Sequence, residues 1–154
     1  MKHIVNEYGE YEGEIRDGDR ILRKESREFL ETHEEVKYKK FVIMNHEEID
    51  ALWDELDPFT MGLLMKMINA IKYENNMVAF NNGKPVTSES MARFLGVGRN
   101  KAYDSVSKLL KLNILVKVEN SREKQYYLNP YIAHKGKYVQ KVLSDMFRHY
   151  KKRT

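Results

Sequence analysis

Gly96 and Gly98, one residue apart and followed at once by Arg99, Asn100 and Lys101, bring open backbone N–H groups and cationic side chains together. Two chemistries use such a run. A glycine-rich loop opening a helix can cradle a phosphate, as in a nucleotide-handling enzyme; a glycine bend between two helices presents the second helix to DNA. A dinucleotide fingerprint needs a third glycine and a preceding strand, but Lys101 fills the third glycine's slot and helical spacing precedes Gly96. The spacing excludes a Walker loop as well, so the bend between helices is favoured.

Other residues could carry catalysis. Tyr138 and Lys141 match the Tyr-x-x-Lys string of a nucleophile that cleaves DNA strands. That chemistry also needs a metal on paired histidines, and His3, His33, His46, His134 and His149 are scattered without ligand spacing. "HEEID" at His46 lacks the second histidine of a zinc motif, and Asp17 with Asp19 suits a turn. No catalytic residue, metal site or cofactor is expected, and the chain is read as a binding protein rather than an enzyme.

The elements around the glycines must then position a DNA-reading surface. Ser88 can cap a helix over 88–95 with Met91, Ala92 and Leu95 inward. Gly96 permits a left-handed turn and Val97 fills the angle. A second helix over 99–112 buries Ala102, Val106, Leu109 and Leu110, and Asn113 suits a left-handed cap. The stretch "ILVKVENSREKQYYLNP" then offers a strand over 114–118, a polar turn over 119–123 and a returning strand over 125–128. A helix-turn-helix followed by such a hairpin is the winged-helix arrangement. Its second helix enters the major groove, and the hairpin tip reaches backbone or minor groove.

Arg99, Asn100, Lys101, Tyr103, Asp104 and Lys108 lie at the start of the second helix or away from its buried side, and are the expected DNA contacts. Arg99 suits guanine and Asn100 adenine, while Lys101 and Lys108 suit phosphates. On the wing, Arg122 and Lys124 are expected contacts, tempered by Glu119 and Glu123. A merely solvated surface is the alternative for several of these. Gly98 occupies a slot that often carries a Ser or Thr cap, which loosens the helix start or lets its N–H groups approach a phosphate closely.

Upstream, "EIRDGDRILR" reads as two short strands about Asp17-Gly18, and "SREFLETHEE" as a short helix or a linker. "VKYKKFVIMN" suits a strand. Asn45 and Glu48 have capping-box spacing ahead of a helix with Ile49, Leu52, Trp53 and Leu56 on one face. Asp57-Pro58 opens another helix, in which Thr60, Leu63, Leu64, Met67, Ile68 and Ile71 recur at helical spacing. The methionines of "MGLLMKMI" are read as core rather than as an adaptable ligand surface, and Met77 to Phe80 as a short strand. At the far end, Val139, Val142, Leu143, Met146, Phe147 and Tyr150 form an apolar stripe over 137–150, packing on its own domain or on a second subunit.

Charge separates the two halves. Residues 1–80 hold 11 Lys and Arg against 18 Asp and Glu, a net of −7; residues 81–154 hold 16 against 5, a net of +11. A polyanion partner for the second half is implied, against the alternative of a solvated basic face, and the acidic half is a candidate protein-partner surface. With 154 residues, no cysteine, no signal-like run and no long apolar stretch, one cytoplasmic domain with an appendage is expected, and no membrane contact.

From Thr87 to Phe147 the chain resembles the winged-helix plasmid replication proteins of Firmicutes known as RepL, and related phage helix-turn-helix proteins. The residues that carry the likeness are "TSESMARFLGVGRNKAYDSVSKLLKLNILVK", "YYLNPYIAHKGK" and "LSDMF". The expected fold class is α+β: a winged helix-turn-helix with an N-terminal β-hairpin appendage over 1–35 and a C-terminal amphipathic helix. The winged-helix domain covers 36–154, with the helix-turn-helix at 88–112, the wing at 114–128 and the last helix at 137–150. The resemblance implies sequence-specific binding of double-stranded DNA by a homodimer in plasmid or phage replication. A repressor of MarR-like type and a protein-interaction module on the same scaffold are the alternatives.

Overall fold

The computed structural model describes residues 2–5, 11–15, 32–34, 36–119 and 124–150. The chain divides into two compact units, Met1–Tyr38 and Lys39–Thr154. In the first, β1 (Lys2–Val5) pairs antiparallel with β2 (Tyr11–Ile15), Lys2 opposite Ile15 and His3 opposite Glu14, with an irregularity between Ile4 and Val5. Glu14 and Ile15, expected to begin a hairpin about Asp17-Gly18, therefore pair upstream; that turn lies outside the described residues.

The second unit is mixed α+β. It begins with β3 (Ile43–Met44), followed by α1 (His46–Leu52) and α2 (Pro58–Asn69). A bend between α3 (Met91–Leu95) and α4 (Arg99–Lys111) leads into the hairpin of β4 (Leu115–Glu119) and β5 (Lys124–Leu128). The order closes with β6 (Ala133–His134) and α5 (Lys141–Met146). No helix among the described residues is long and apolar enough to cross a membrane.

The α2 start follows from its first residues. Asp57, extended at φ −69° and ψ 156°, accepts from the Thr60 N–H at 3.1 Å and from the Thr60 hydroxyl at 2.7 Å, while Pro58 sits where no N–H is needed. Leu63, Leu64, Met67 and Ile68 then turn inward as the spacing predicts, and Met61 of the methionine run is buried with them, although Met65 is exposed. These side chains meet Ala102, Val106 and Leu109 of α4 and Leu115, Tyr126 and Leu128 of the hairpin in one core. Removing a leucine such as Leu64 or Leu109 fully from water contributes about 1.5–3 kcal/mol each.

Several boundaries differ from the expected ones, for tertiary reasons. The strand expected after Val36 shrinks to Ile43–Met44, because only these residues reach a partner, Ile43 opposite His134 and Met44 opposite Ala133. Asn45 caps α1, but the Glu48 side chain is buried and its carboxylate accepts the Tyr150 hydroxyl at 2.6 Å. Trp53, expected inward, is 53 % exposed because α1 ends at Leu52. The expected helix over 88–95 begins only at Met91. Ser88 is held by the Tyr126 hydroxyl at 2.8 Å, and the Thr87 N–H donates to Ser90 Oγ at 2.8 Å, so 88–90 form a turn.

The expected last helix over 137–150 contracts to Lys141–Met146. Gln140 N–H is drawn to the Glu74 carbonyl at 3.2 Å, and beyond Met146 the chain makes tight turns that carry Tyr150 to Glu48 and stack it on Tyr131 at 5.9 Å. Leu143 and Phe147 are buried in this unit, whereas Val142 of the expected stripe is exposed.

The α2 cap yields a first prediction. Asp57 also accepts from Lys108 at 3.1 Å; the Thr60 hydroxyl, then Lys108, then the Thr60 N–H hold its carboxyl far below the usual carboxylate range. Asp57→Ala is expected to cost about 1–2 kcal/mol, mostly the cap, since the ion pair is solvent-exposed. A depressed folded-state value means the stabilisation is complete above the unfolded value, near pH ~4, and is lost as pH falls through the folded value. Urea melts of both proteins should therefore differ equally at pH 7 and pH 5, and converge only in strong acid.

Candidate nucleic-acid interface

The bend between α3 and α4 is held from three sides. Gly96 is left-handed at φ 71°, its N–H donates to the Ala92 carbonyl at 2.9 Å, and Val97 N–H reaches the same carbonyl at 3.2 Å. Lys66 of α2 adds a cation at this helix end, donating to the Leu95 carbonyl at 3.0 Å. Gly98 is ordinary extended backbone at φ −65° and ψ 155°, with nothing within 4 Å of where a Cβ would stand. Its lack of a side chain is thus not required by the fold, and it leaves the start of α4 uncovered and without a side-chain cap.

Along α4, Ala102, Ser105, Val106 and Leu109 point inward, and the Ser105 and Thr60 hydroxyls share a buried hydrogen bond of 3.3 Å at the α2 crossing. Helical geometry sorts the remaining residues into three groups. Asn100 and Asp104 point directly away from the core and are exposed. Lys101 and Lys108 lie on the flank beside the start of α2, the first with its ammonium 5.5 Å from the Phe59 ring centroid, the second paired with Asp57. Arg99 and Tyr103 lie on the opposite flank, Tyr103 being 74 % exposed.

That second flank and the hairpin enclose a cleft of about 690 Å³. Arg99 and Tyr103 line it from α4, Lys117 and Lys124 from the hairpin, and Ser88 and Glu89 from the start of the helix pair. Strand register explains the hairpin's share. Leu115 pairs with Leu128 in the core, and two residues further along the same face Lys117, opposite Tyr126, has emerged into the cleft. Lys124 pairs with Glu119 across the open end, at 3.7 Å.

Of the expected contacts, Arg99, Tyr103 and Lys124 are thus brought to one concavity. Asn100 and Asp104 are exposed on the outer face of α4 and do not line it, while Lys101 and Lys108 are turned to the other flank. Arg122 lies outside the described residues. Lys117 and Ser107, which also lines the cleft, were not singled out from sequence. Alternation from Leu115 could have found Lys117, since it shares the face of a core residue. Tyr138 is exposed in the turn before α5, not at a helix start, with the Lys137 ammonium 5.4 Å from its ring centroid.

The cleft offers a guanidinium, two ammonium groups, hydroxyls and a projecting aromatic ring beside one carboxylate. Such a surface suits a phosphodiester backbone and base edges. Comparison with protein-family models, with curated proteins and with solved structures finds no match to this chain.

Proposed function

We propose that this chain is a winged-helix protein that binds double-stranded DNA sequence-specifically, as a homodimer, in the initiation or control of plasmid or phage replication. The observation that carries the reading is the cationic cleft between α4 and the β4–β5 hairpin, directly after a glycine-bent helix pair. A further feature supports the winged-helix form: Val78 N–H donates to the Tyr126 carbonyl at 2.9 Å and Met77 makes an isolated bridge to Tyr127, so this short segment lies along the two-stranded hairpin. The order helix, bridging segment, helix, helix, hairpin is compatible with a winged helix. In this reading α4 enters the major groove, Arg99 and Asn100 meet base edges, and Lys117 and Lys124 hold the flanking backbone.

The test is binding to duplex fragments selected from the source genome, followed by fluorescence anisotropy across salt concentrations. With Lys117 and Lys124 of both subunits on phosphates, the logarithm of affinity should fall against that of salt with a slope of about −3.6 or steeper. Bound fragments clustered within or beside the chain's own coding region support replication. Scattered promoters shift the role to repression, and no duplex binding at low salt removes the DNA reading in favour of a protein-interaction module.

A further inference from the structure

A second basic surface lies at the other end of α2, roughly 14 Å along its axis from the Thr60–Ser105 crossing. Lys39, Lys40, Lys72, Lys135 and Lys137 surround a cleft of about 710 Å³ whose lining contains no Asp or Glu. Lys135 donates to the Asn69 carbonyl at the α2 terminus, at 3.2 Å; the other four have no ion pair among the described residues. Burial, and then the neighbouring Lys40 ammonium, lower the Lys135 pKa, as expected where cations gather without a counter-charge.

Aromatic rings are interleaved with these lysines. Phe80 is engaged by Phe94, edge-on at 5.6 Å, and by the Arg93 guanidinium at 5.5 Å. Tyr73 is different. Its ring is seated against the Gly136 backbone so closely that a Cβ there would come within 2.5 Å of Tyr73 Cε2, yet the residue is 64 % exposed. The Gly136 backbone thus braces the ring while much of its surface stays open. Phe41, beside Lys39 and Lys40, is also exposed. Lysines hold phosphates as point charges, and an open ring stacks on any base, so this combination favours single strands without reading sequence.

We propose that this cleft binds single-stranded nucleic acid without sequence preference, with phosphates on Lys39, Lys40, Lys72 and Lys137 and a base stacked on Tyr73. None of these residues belongs to the α4 cleft, so the site stands or falls separately from duplex binding.

The experiment is anisotropy of a labelled oligothymidylate about ten nucleotides long, within the span of known single-strand surfaces, titrated with the full chain. Lys40→Ala/Lys72→Ala/Lys137→Ala should weaken binding at least tenfold and flatten the salt slope by about 2, since each phosphate contact on a single strand contributes about 0.7. Tyr73→Ala should weaken it about tenfold, while Tyr73→Phe, which keeps the ring, should stay within about twofold of the parent. Unaltered thermal melting of the triple variant excludes unfolding as the cause. The proposal is overturned if the parent fails to bind, if the triple variant keeps the parent's slope, or if Arg99→Ala weakens binding as much as the triple variant does. Displacement of the oligomer by dTTP at equal nucleotide concentration also overturns it, assigning the cleft to a free nucleotide.

Discussion

Replacing Asn76 with aspartate, a change of almost no volume, is expected to destabilise the second unit by about 3–5 kcal/mol at pH 7. Asn76 is fully buried, and its side-chain amide donates to the carbonyls of Leu128 at 3.1 Å and Ala133 at 2.8 Å. Its backbone carbonyl accepts the Leu128 N–H at 2.9 Å. One residue thereby fastens the turn after α2 to the ends of β5 and β6. Its Oδ1 has no partner among the described residues, so the side chain contributes through its two donors. Aspartate removes both and sets a carboxylate against two carbonyl oxygens. Asn76→Ala should cost less, about 2–3 kcal/mol, because it leaves acceptors unpaired without burying a charge.

The two variants also differ in pH dependence. Burial beside acceptors raises the folded-state pKa of the new carboxyl above its unfolded value. The unfolded chain then binds fewer protons than the folded one in that window, so stability falls as pH rises through it. Urea denaturation should find Asn76→Asp more stable at pH 5 than at pH 7, with Asn76→Ala tracking the parent. An aspartate variant no less stable than the alanine variant at pH 7 would remove the fastening role.

Local chemistry made the helix pair legible. Asp57-Pro58 marks the start of α2, Gly96 adopts the left-handed bend at φ 71°, and Asn113 the left-handed exit at φ 57°. Each needs only its neighbours. Long-range bonds decided the remainder. Asn76 sits in a polar stretch that reads as an ordinary loop, and its role depends on carbonyls more than fifty residues away. Ser88 has the chemistry of a cap but spends its hydroxyl on Tyr126. The apolar stripe over 137–150 has helical spacing, yet bonds to Glu74 and Glu48 bend the chain at both ends of α5.

The candidate site divides in the same way. Periodicity separates the buried from the exposed side of α4 and one flank from the other, but not which flank faces the hairpin. In sequence, Lys101 and Lys108 are expected DNA contacts as much as Arg99 is. Only the packing of Phe59 and Asp57 against one flank makes them different. The lysine and tyrosine cleft at the other end of α2 joins residues 39–41, 72–73 and 135–137, three segments that share no local pattern.

That difference between flanks carries the largest expected effects on DNA. Arg99→Ala and Asn100→Ala are each expected to cost about 1–3 kcal/mol on a selected site, and to relax the preference at one base position. Lys124→Ala should weaken all duplexes alike and reduce the salt slope by about 2, one contact in each subunit of the proposed dimer, since phosphate is its expected partner. Lys108→Ala, by contrast, should change affinity little, since Asp57 already holds that ammonium at 3.1 Å and the pair is turned from the cleft. Asp57→Asn then becomes the informative companion. It keeps an oxygen to cap α2 while weakening the hold on Lys108, so tighter, less specific duplex binding is expected. Anisotropy on the selected site and on a scrambled duplex separates the cases. If Lys108→Ala abolishes specific binding while Arg99→Ala leaves it intact, the flank beside α2 is the one that meets DNA, and the cleft between α4 and the hairpin serves another ligand.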